Sequence, residues 1–180
     1  MVVGRRGGVG VRRVQPGGAA QLDSERAASA DAAHAAALRM LTTRARTRAE
    51  LERRLGERGF AAAAVAETLD RLERVGLVDD RALADTVAEG RAEQGLDAPA
   101  IAAELRDRGV DPTLAEQAAQ AAVPAEDRAE RCRQVAEARL AQLVGLPPAT
   151  QLRRLAAYLT RRGYPADLAE SVARDLVGFD

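Results

Sequence analysis

The residues of this chain best equipped for chemistry are arginines gathered in two places. Arg44, Arg46 and Arg48 surround one turn and Arg54 follows them, while Arg153, Arg154, Arg161 and Arg162 stand in a stretch, 138–166, that holds no Asp or Glu. Guanidinium groups at this density bind phosphates or the carboxylates of an acidic protein groove. Glu50, Glu52 and Glu57 alternate with the first group, and Glu50 with Arg54 has the i, i+4 spacing of an ion pair on a solvated helix face. Arg161 and Arg162 end a helical pattern, where cations also favour the helix dipole. Both clusters therefore have a structural reading beside the functional one.

Other reactive residues are sparse. His34 and Cys132 occur once each and far apart, with no triad or metal-ligand spacing. Asp79 and Asp80 are adjacent carboxylates, but they directly precede a helical pattern, where carboxylates cap the helix and stabilise its dipole. All 27 basic residues are Arg, so no phosphate-loop lysine exists, and no Gly-rich loop follows a strand pattern. We expect no catalytic residue, no metal site and no cofactor.

These side chains are carried by an internal repeat. An apolar residue, a Leu four positions on, a Gly four further and a bulky apolar residue recur as Leu51, Leu55, Gly59, Phe60, then Ile101, Leu105, Gly109, Val110, then Leu155, Leu159, Gly163, Tyr164. The period is close to fifty residues. Hydrophobic residues make up 47% of the 180 but aromatics only 2%, with Ala dominant, which is the composition of helices. Thr47 with Glu50 three positions later reads as a capping box, and each motif Gly reads as the left-handed residue that stops a helix, with the following bulky residue folded back. Asp97 and Thr150 read as caps of the equivalent helices in the second and third repeats. In the first repeat an opening helix ends near Ala45 and a third helix carries Val65, Leu69, Leu72 and Val75. The third repeat opens with a longer helix, 125–144.

The expectation is an all-α protein of three tandem three-helix repeats, 29–78, 79–124 and 125–180, preceded by a disordered Arg- and Gly-rich arm over 1–28. Units this small are marginal alone, so they are expected to pack in sequence and share a core, giving an elongated, curved molecule. The formal net charge is +0, yet the ends are basic and the middle acidic, with 16 acids against seven Arg from Ala64 to Glu130. No apolar run approaches a membrane span, and a single Cys permits no internal disulfide, so a soluble monomer in the reducing cytoplasm is expected.

The order Arg44-Ala-Arg-Thr-Arg-Ala-Glu-Leu51, Arg58-Gly59-Phe60, Gly76-Leu-Val-Asp-Asp80 with Ala84 following, Ile101-Ala-Ala-Glu-Leu105, Arg108-Gly109-Val110 and Arg162-Gly163-Tyr164-Pro165 resembles the RecX regulatory proteins of bacteria. The resemblance runs from about Ala37 to the end. It implies three tandem three-helix repeats and a non-enzymatic regulator that binds the RecA recombinase and its nucleoprotein filament, restraining filament growth, ATP hydrolysis and strand exchange in recombination and DNA repair. Some members of that family also bind DNA. This chain departs from the family in having Leu83 where an aromatic is usual, and Glu89, Glu93 and Asp97 where the second repeat is usually basic. A direct DNA-binding protein and a helical scaffold for another protein remain alternative readings of the same residues.

Overall fold

The computed structural model describes the backbone of residues 17–178 and the side chains from residue 29 onward. The described residues form nine α-helices and no strand: α1 (Gly17–Leu41), α2 (Arg48–Glu57), α3 (Ala62–Arg74), α4 (Asp80–Glu93), α5 (Ala98–Asp107), α6 (Pro112–Ala122), α7 (Arg128–Leu140), α8 (Pro148–Arg161) and α9 (Ala166–Val177). They group three to a repeat. α1 extends the expected first helix back to Gly17, so residues 17–28 are helical rather than part of an arm; the remainder of that expectation, 1–16, lies outside the described residues. The segment after Gly18 is rich in Ala, Gln, Leu, Glu and Arg, the strongest helix formers.

Local chemistry sets most boundaries. The Thr47 hydroxyl accepts from the Glu50 amide at 3.0 Å, and the Asp79 carboxylate accepts from the Ala82 amide at 2.9 Å. Gly59, Gly109 and Gly163 take φ of +85°, +83° and +95°, and the amide of the bulky residue after each bonds back to the Leu of the motif at 3.3, 3.1 and 3.3 Å. That is the left-handed helix stop anticipated from the repeat.

Several local expectations need correction. α1 ends at Leu41, where the Thr42 and Thr43 hydroxyls fold back onto the carbonyls of Arg39 and Met40 at 2.9 and 2.8 Å. α7 covers only Arg128–Leu140, with single 3-10 turns at Ala125–Asp127 and Ala141–Leu143. Thr150 is not a cap: α8 begins at Pro148, whose fixed φ suits a first turn, and the Thr150 amide bonds to Pro147 within that turn at 2.8 Å. Val75 sits at the end of α3 and is 61% exposed. Asp97 stands at the N-cap position of α5, but its side chain makes no cap bond and pairs instead with Arg128 at 2.9 Å.

The repeats do not share a core. Leu51, Leu55, Leu69 and Leu72 with Met40 and Val78 form one cluster; Ile101, Leu105, Val110 and Val123 with the alanines of α4 and α6 form a second; Cys132, Leu143, Leu155, Leu159, Tyr164 and Val172 form a third. Each Leu buried this way stabilises its repeat by about 2 kcal/mol relative to exposure. Alanines such as Ala33, Ala84, Ala88 and Ala136, all fully buried, let helices approach closely enough to close a core from within one repeat. Among the described residues, hydrogen bonds and ion pairs join the first repeat to the second and the second to the third, and none joins the first to the third.

Polar junctions link the repeats. The Thr47 hydroxyl, besides capping α2, donates to the Arg108 carbonyl at 2.6 Å, the Glu50 carboxylate receives Arg108 Nε at 3.0 Å, and the Asp80 carboxylate accepts the Arg48 amide at 2.8 Å. Glu50 thus completes no capping box; its carboxylate serves the junction. At the second junction the Asp97 amide donates to the Arg162 carbonyl at 2.8 Å, Arg162 bonds to the Gln94 carbonyl, Arg131 to the Ala92 carbonyl at 2.7 Å and the Tyr164 hydroxyl to the Gly95 carbonyl at 3.3 Å.

Glu50 is buried, which works against its charge, but the hydrogen bond and charge of Arg108, the charge of Arg44 and a backbone hydrogen bond at Thr47 outweigh burial and hold the carboxyl below the ordinary glutamate value. A lowered folded-state value means stability that is present above the unfolded value and is lost as pH falls through the folded one. Asp80 has the opposite sign: burial raises it despite the Arg48 amide, helped by Glu73 and Asp79. Glu50→Gln should therefore cost roughly 2 kcal/mol at neutral pH, the size of a buried charge-assisted hydrogen bond. The gap from the parent, measured by urea unfolding, should narrow below the unfolded value and close as pH falls through the lower folded one. A gap independent of pH would contradict the ion-pair role.

Candidate partner-binding surface

α2 and the turn before it hold the first arginine cluster. Arg44, Arg46 and Arg108 border a cleft of about 470 Å³ between the first two repeats, whose apolar wall includes Leu77, Leu83 and Val87. Leu77 is 53% exposed there. Arg44 is half-exposed and lies 3.5 Å from Glu50. Arg46 donates from Nε to the Met40 carbonyl at 3.3 Å, while its buried Nη1 has no partner among the described residues. Desolvation, then the charges of Arg44 and Arg54, lower its pKa. Like charges crowd this corner, so an incoming anion would relieve it. Arg54 is exposed and unpaired among the described residues. Arg48 is different: it bridges α2 to α3 through Asp70 at 2.8 Å and through Glu73, and the Asp70 hydrogen bond raises its pKa.

The second cluster lies on α8. Arg153 and Arg161, with Arg174 and one acid, Glu170, of α9, line a groove of about 640 Å³ together with Ala149, Leu152, Ala156 and Ala157. Arg153, Arg154 and Arg161 are exposed and unpaired among the described residues. Arg162 turns away from them. Its guanidinium bonds to the second repeat and sits 4.6 Å from the centroid of the Tyr158 ring, which Arg139 also approaches, at 4.9 Å. A cation over an aromatic face is favourable, so these contacts help fix the end of α8. The doublet Arg161-Arg162 is thus divided between surface and junction by the 100° turn of one helical residue.

Three arginines missed at the level of sequence matter to the arrangement: Arg108, Arg128 and Arg174. Arg108 had a signal, because an Arg precedes the motif Gly in every repeat. Arg128 had none, since its partner Asp97 is far away in sequence, and Arg174 had none, since only the packing of α9 on α8 brings it to the groove of Arg153 and Arg161. The acidic middle is partly neutralised within its own repeat: Arg91 grips Glu104 through two bonds of 2.7 Å, Arg81 lies 3.4 Å from Asp85 and Arg106 3.5 Å from Glu116.

No group of three or more metal-ligating side chains occurs among the described residues. Cys132 is fully buried and burial pushes its thiol up to about 11, which leaves it protonated and unreactive at neutral pH. His34 belongs to the first repeat and Cys132 to the core of the third. No helix among the described residues is long and apolar enough to cross a membrane.

A family model described as the first three-helix domain of RecX matches residues 33–72, and one for the third three-helix domain of RecX matches 125–172. The chain is 41% identical over 144 residues to "Regulatory protein RecX" of Thermobifida fusca, a match spanning 79% of this chain and 77% of that protein. With the protein of the same name from Mycobacterium sp. (strain KMS) it shares 44% over 151 residues, 81% of this chain and 79% of the relative. The crystal structure of RecX from Lactobacillus salivarius superposes with a TM-score of 0.70 at 20% identity, covering 83% of this chain and 97% of that one, a likeness of fold.

Proposed function

Because the chain belongs to the RecX family of regulatory proteins, we propose that it is a non-enzymatic cytoplasmic regulator that binds the RecA recombinase and its filament on DNA as a monomer. Binding restrains filament growth, ATP hydrolysis and strand exchange. The observation that carries this reading is the pair of arginine surfaces in the outer repeats of a linear array: Arg54 with the lightly held Arg44 and Arg46 in the first repeat, and Arg153, Arg154 and Arg161, unpaired among the described residues, in the third. Surfaces separated by a whole repeat suit a partner that itself repeats, and stacked units present an extended face able to span neighbouring subunits of a filament. Arg48 and Arg162 are left out of the contact because intramolecular bonds hold them.

Direct coverage of single strands is less well supported. Stacking of bases needs open aromatic faces, whereas Tyr164 is buried, Tyr158 has guanidiniums over its ring and Phe60 is half-buried on its own core. Co-sedimentation with RecA filaments and with naked single-stranded DNA across a salt series tests the assignment. Retention on filaments at salt that releases the chain from naked DNA is the expected result. Equal, steeply salt-dependent affinity for both would favour a DNA-binding protein.

A further inference from the structure

An Arg-Gly pair ends the second helix of every repeat, and in two of the three it docks onto the repeat before it. The Arg108 carbonyl takes the Thr47 hydroxyl, its guanidinium takes Glu50, and Gly109 lies so close to α2 that an added Cβ would stand 2.4 Å from the Ala49 Cβ. The Arg162 carbonyl takes the Asp97 amide, its guanidinium reaches the Gln94 carbonyl, and a Cβ on Gly163 would stand 2.7 Å from the Ala100 Cβ. Both pairs thus meet the first turn of a helix with Thr or Asp at its cap and an alanine beside it; at the first junction the guanidinium takes a carboxylate, Glu50, and at the second a backbone carbonyl, that of Gln94. The cap residues Thr47 and Asp97 are fully buried by this docking.

In the first repeat the pair is Arg58-Gly59, and among the described residues no helix N-terminus sits against it. Nothing lies within 4 Å of a Cβ placed on Gly59, Arg58 is exposed, and among the described residues it makes no ion pair. Phe60 is half-buried, whereas its counterparts Val110 and Tyr164 are 3% and 2% exposed. We propose that the Arg58-Gly59 edge is a docking site for a helix N-terminus on a partner protein, one bearing a Thr, Ser or Asp cap, a small residue in its first turn and a carboxylate beside it. The C-terminal end of α2 facing such an N-terminus aligns the two helix dipoles favourably, and the carboxylate offsets the arginine that would otherwise repel it. A second copy of this chain is a poor occupant: the second helix of the third repeat has Pro147 at its cap, with neither a hydroxyl nor an N–H to give the Arg58 carbonyl as Thr47 and Asp97 give theirs.

The inference takes its test partner, RecA, from the proposed function. Affinity of the full chain for RecA filaments on single-stranded DNA is measured for the parent, Arg58→Glu and Arg53→Glu, the last reversing an exposed charge on the same helix away from the edge. Arg58→Glu should weaken binding about tenfold, one contact of about 1.4 kcal/mol, and Arg53→Glu far less. A photo-crosslinker at position 58 should label the first turn of a RecA helix. Equal losses in the two variants, no loss, or crosslinks to DNA or to a second copy of the chain would overturn the docking site while leaving the regulator reading intact. A parent chain that does not bind the filament overturns both.

Discussion

Gly163→Ala should part the second and third repeats while leaving the helices formed. Two effects add. At φ +95° an L side chain is strained by roughly 1–2 kcal/mol, and the new Cβ would meet the Ala100 Cβ at 2.7 Å and the Ala100 backbone nitrogen at 2.8 Å, neither able to rotate away. Overpacking of that kind costs about 1–3 kcal/mol. Because each repeat has its own core, the junction gives way before the repeats do. Circular dichroism should keep its helical signal, while the Asp97 amide, which donates to the Arg162 carbonyl, loses protection from hydrogen exchange. Gly109→Ala should behave alike at the first junction, with a Cβ 2.4 Å from that of Ala49. Gly59→Ala should carry the backbone strain alone, since nothing lies near it. Equal destabilisation by all three would mean that the glycines act only as helix stops.

The combined change Arg153→Glu, Arg154→Glu and Arg161→Glu should abolish most binding to RecA filaments with no loss of fold. These side chains are exposed and free of ion pairs among the described residues, and surface substitutions of this kind change stability little. If each contributes roughly 1 kcal/mol to an electrostatic contact, the three together amount to about a hundredfold in affinity, at about 1.4 kcal/mol per tenfold. The residual binding should also depend less on salt, because fewer charges remain to be screened. Arg162→Glu should look different: it removes a junction bond and a cation over Tyr158, so its signature is the Gly163→Ala exchange pattern. Surface and junction roles of one arginine doublet can thus be told apart by a measurement on the free protein.

The architecture was legible where one residue decides one local geometry. Thr47, Asp79 and the motif glycines sit where capping and left-handed chemistry put them, and the fifty-residue period gave the three-repeat plan. Legibility ended where a side chain had two candidate partners. Glu50 satisfies the spacing of a capping box, yet Arg108, 58 positions away, wins its carboxylate because a buried charge gains more from a cation than from an amide. Asp97 does the same with Arg128. The expectation of a shared core failed because apolar spacing reveals which face is buried and not against what, and buried alanines allowed each repeat to close on itself. Of the eight arginines singled out from sequence, Arg54, Arg153, Arg154 and Arg161 are unpaired among the described residues, Arg44 and Arg46 make one ion pair and local hydrogen bonds, and Arg48 and Arg162 hold the fold.

The most direct test of the central claim is the rate of ATP hydrolysis by RecA on single-stranded DNA as this protein is added. We expect the rate to fall with increasing protein, and the Arg153, Arg154, Arg161 triple variant to need far more protein for the same effect. A rate that stays constant while the chain binds naked DNA, or that stays constant with no binding at all, would contradict the assignment as a regulator of the recombinase filament.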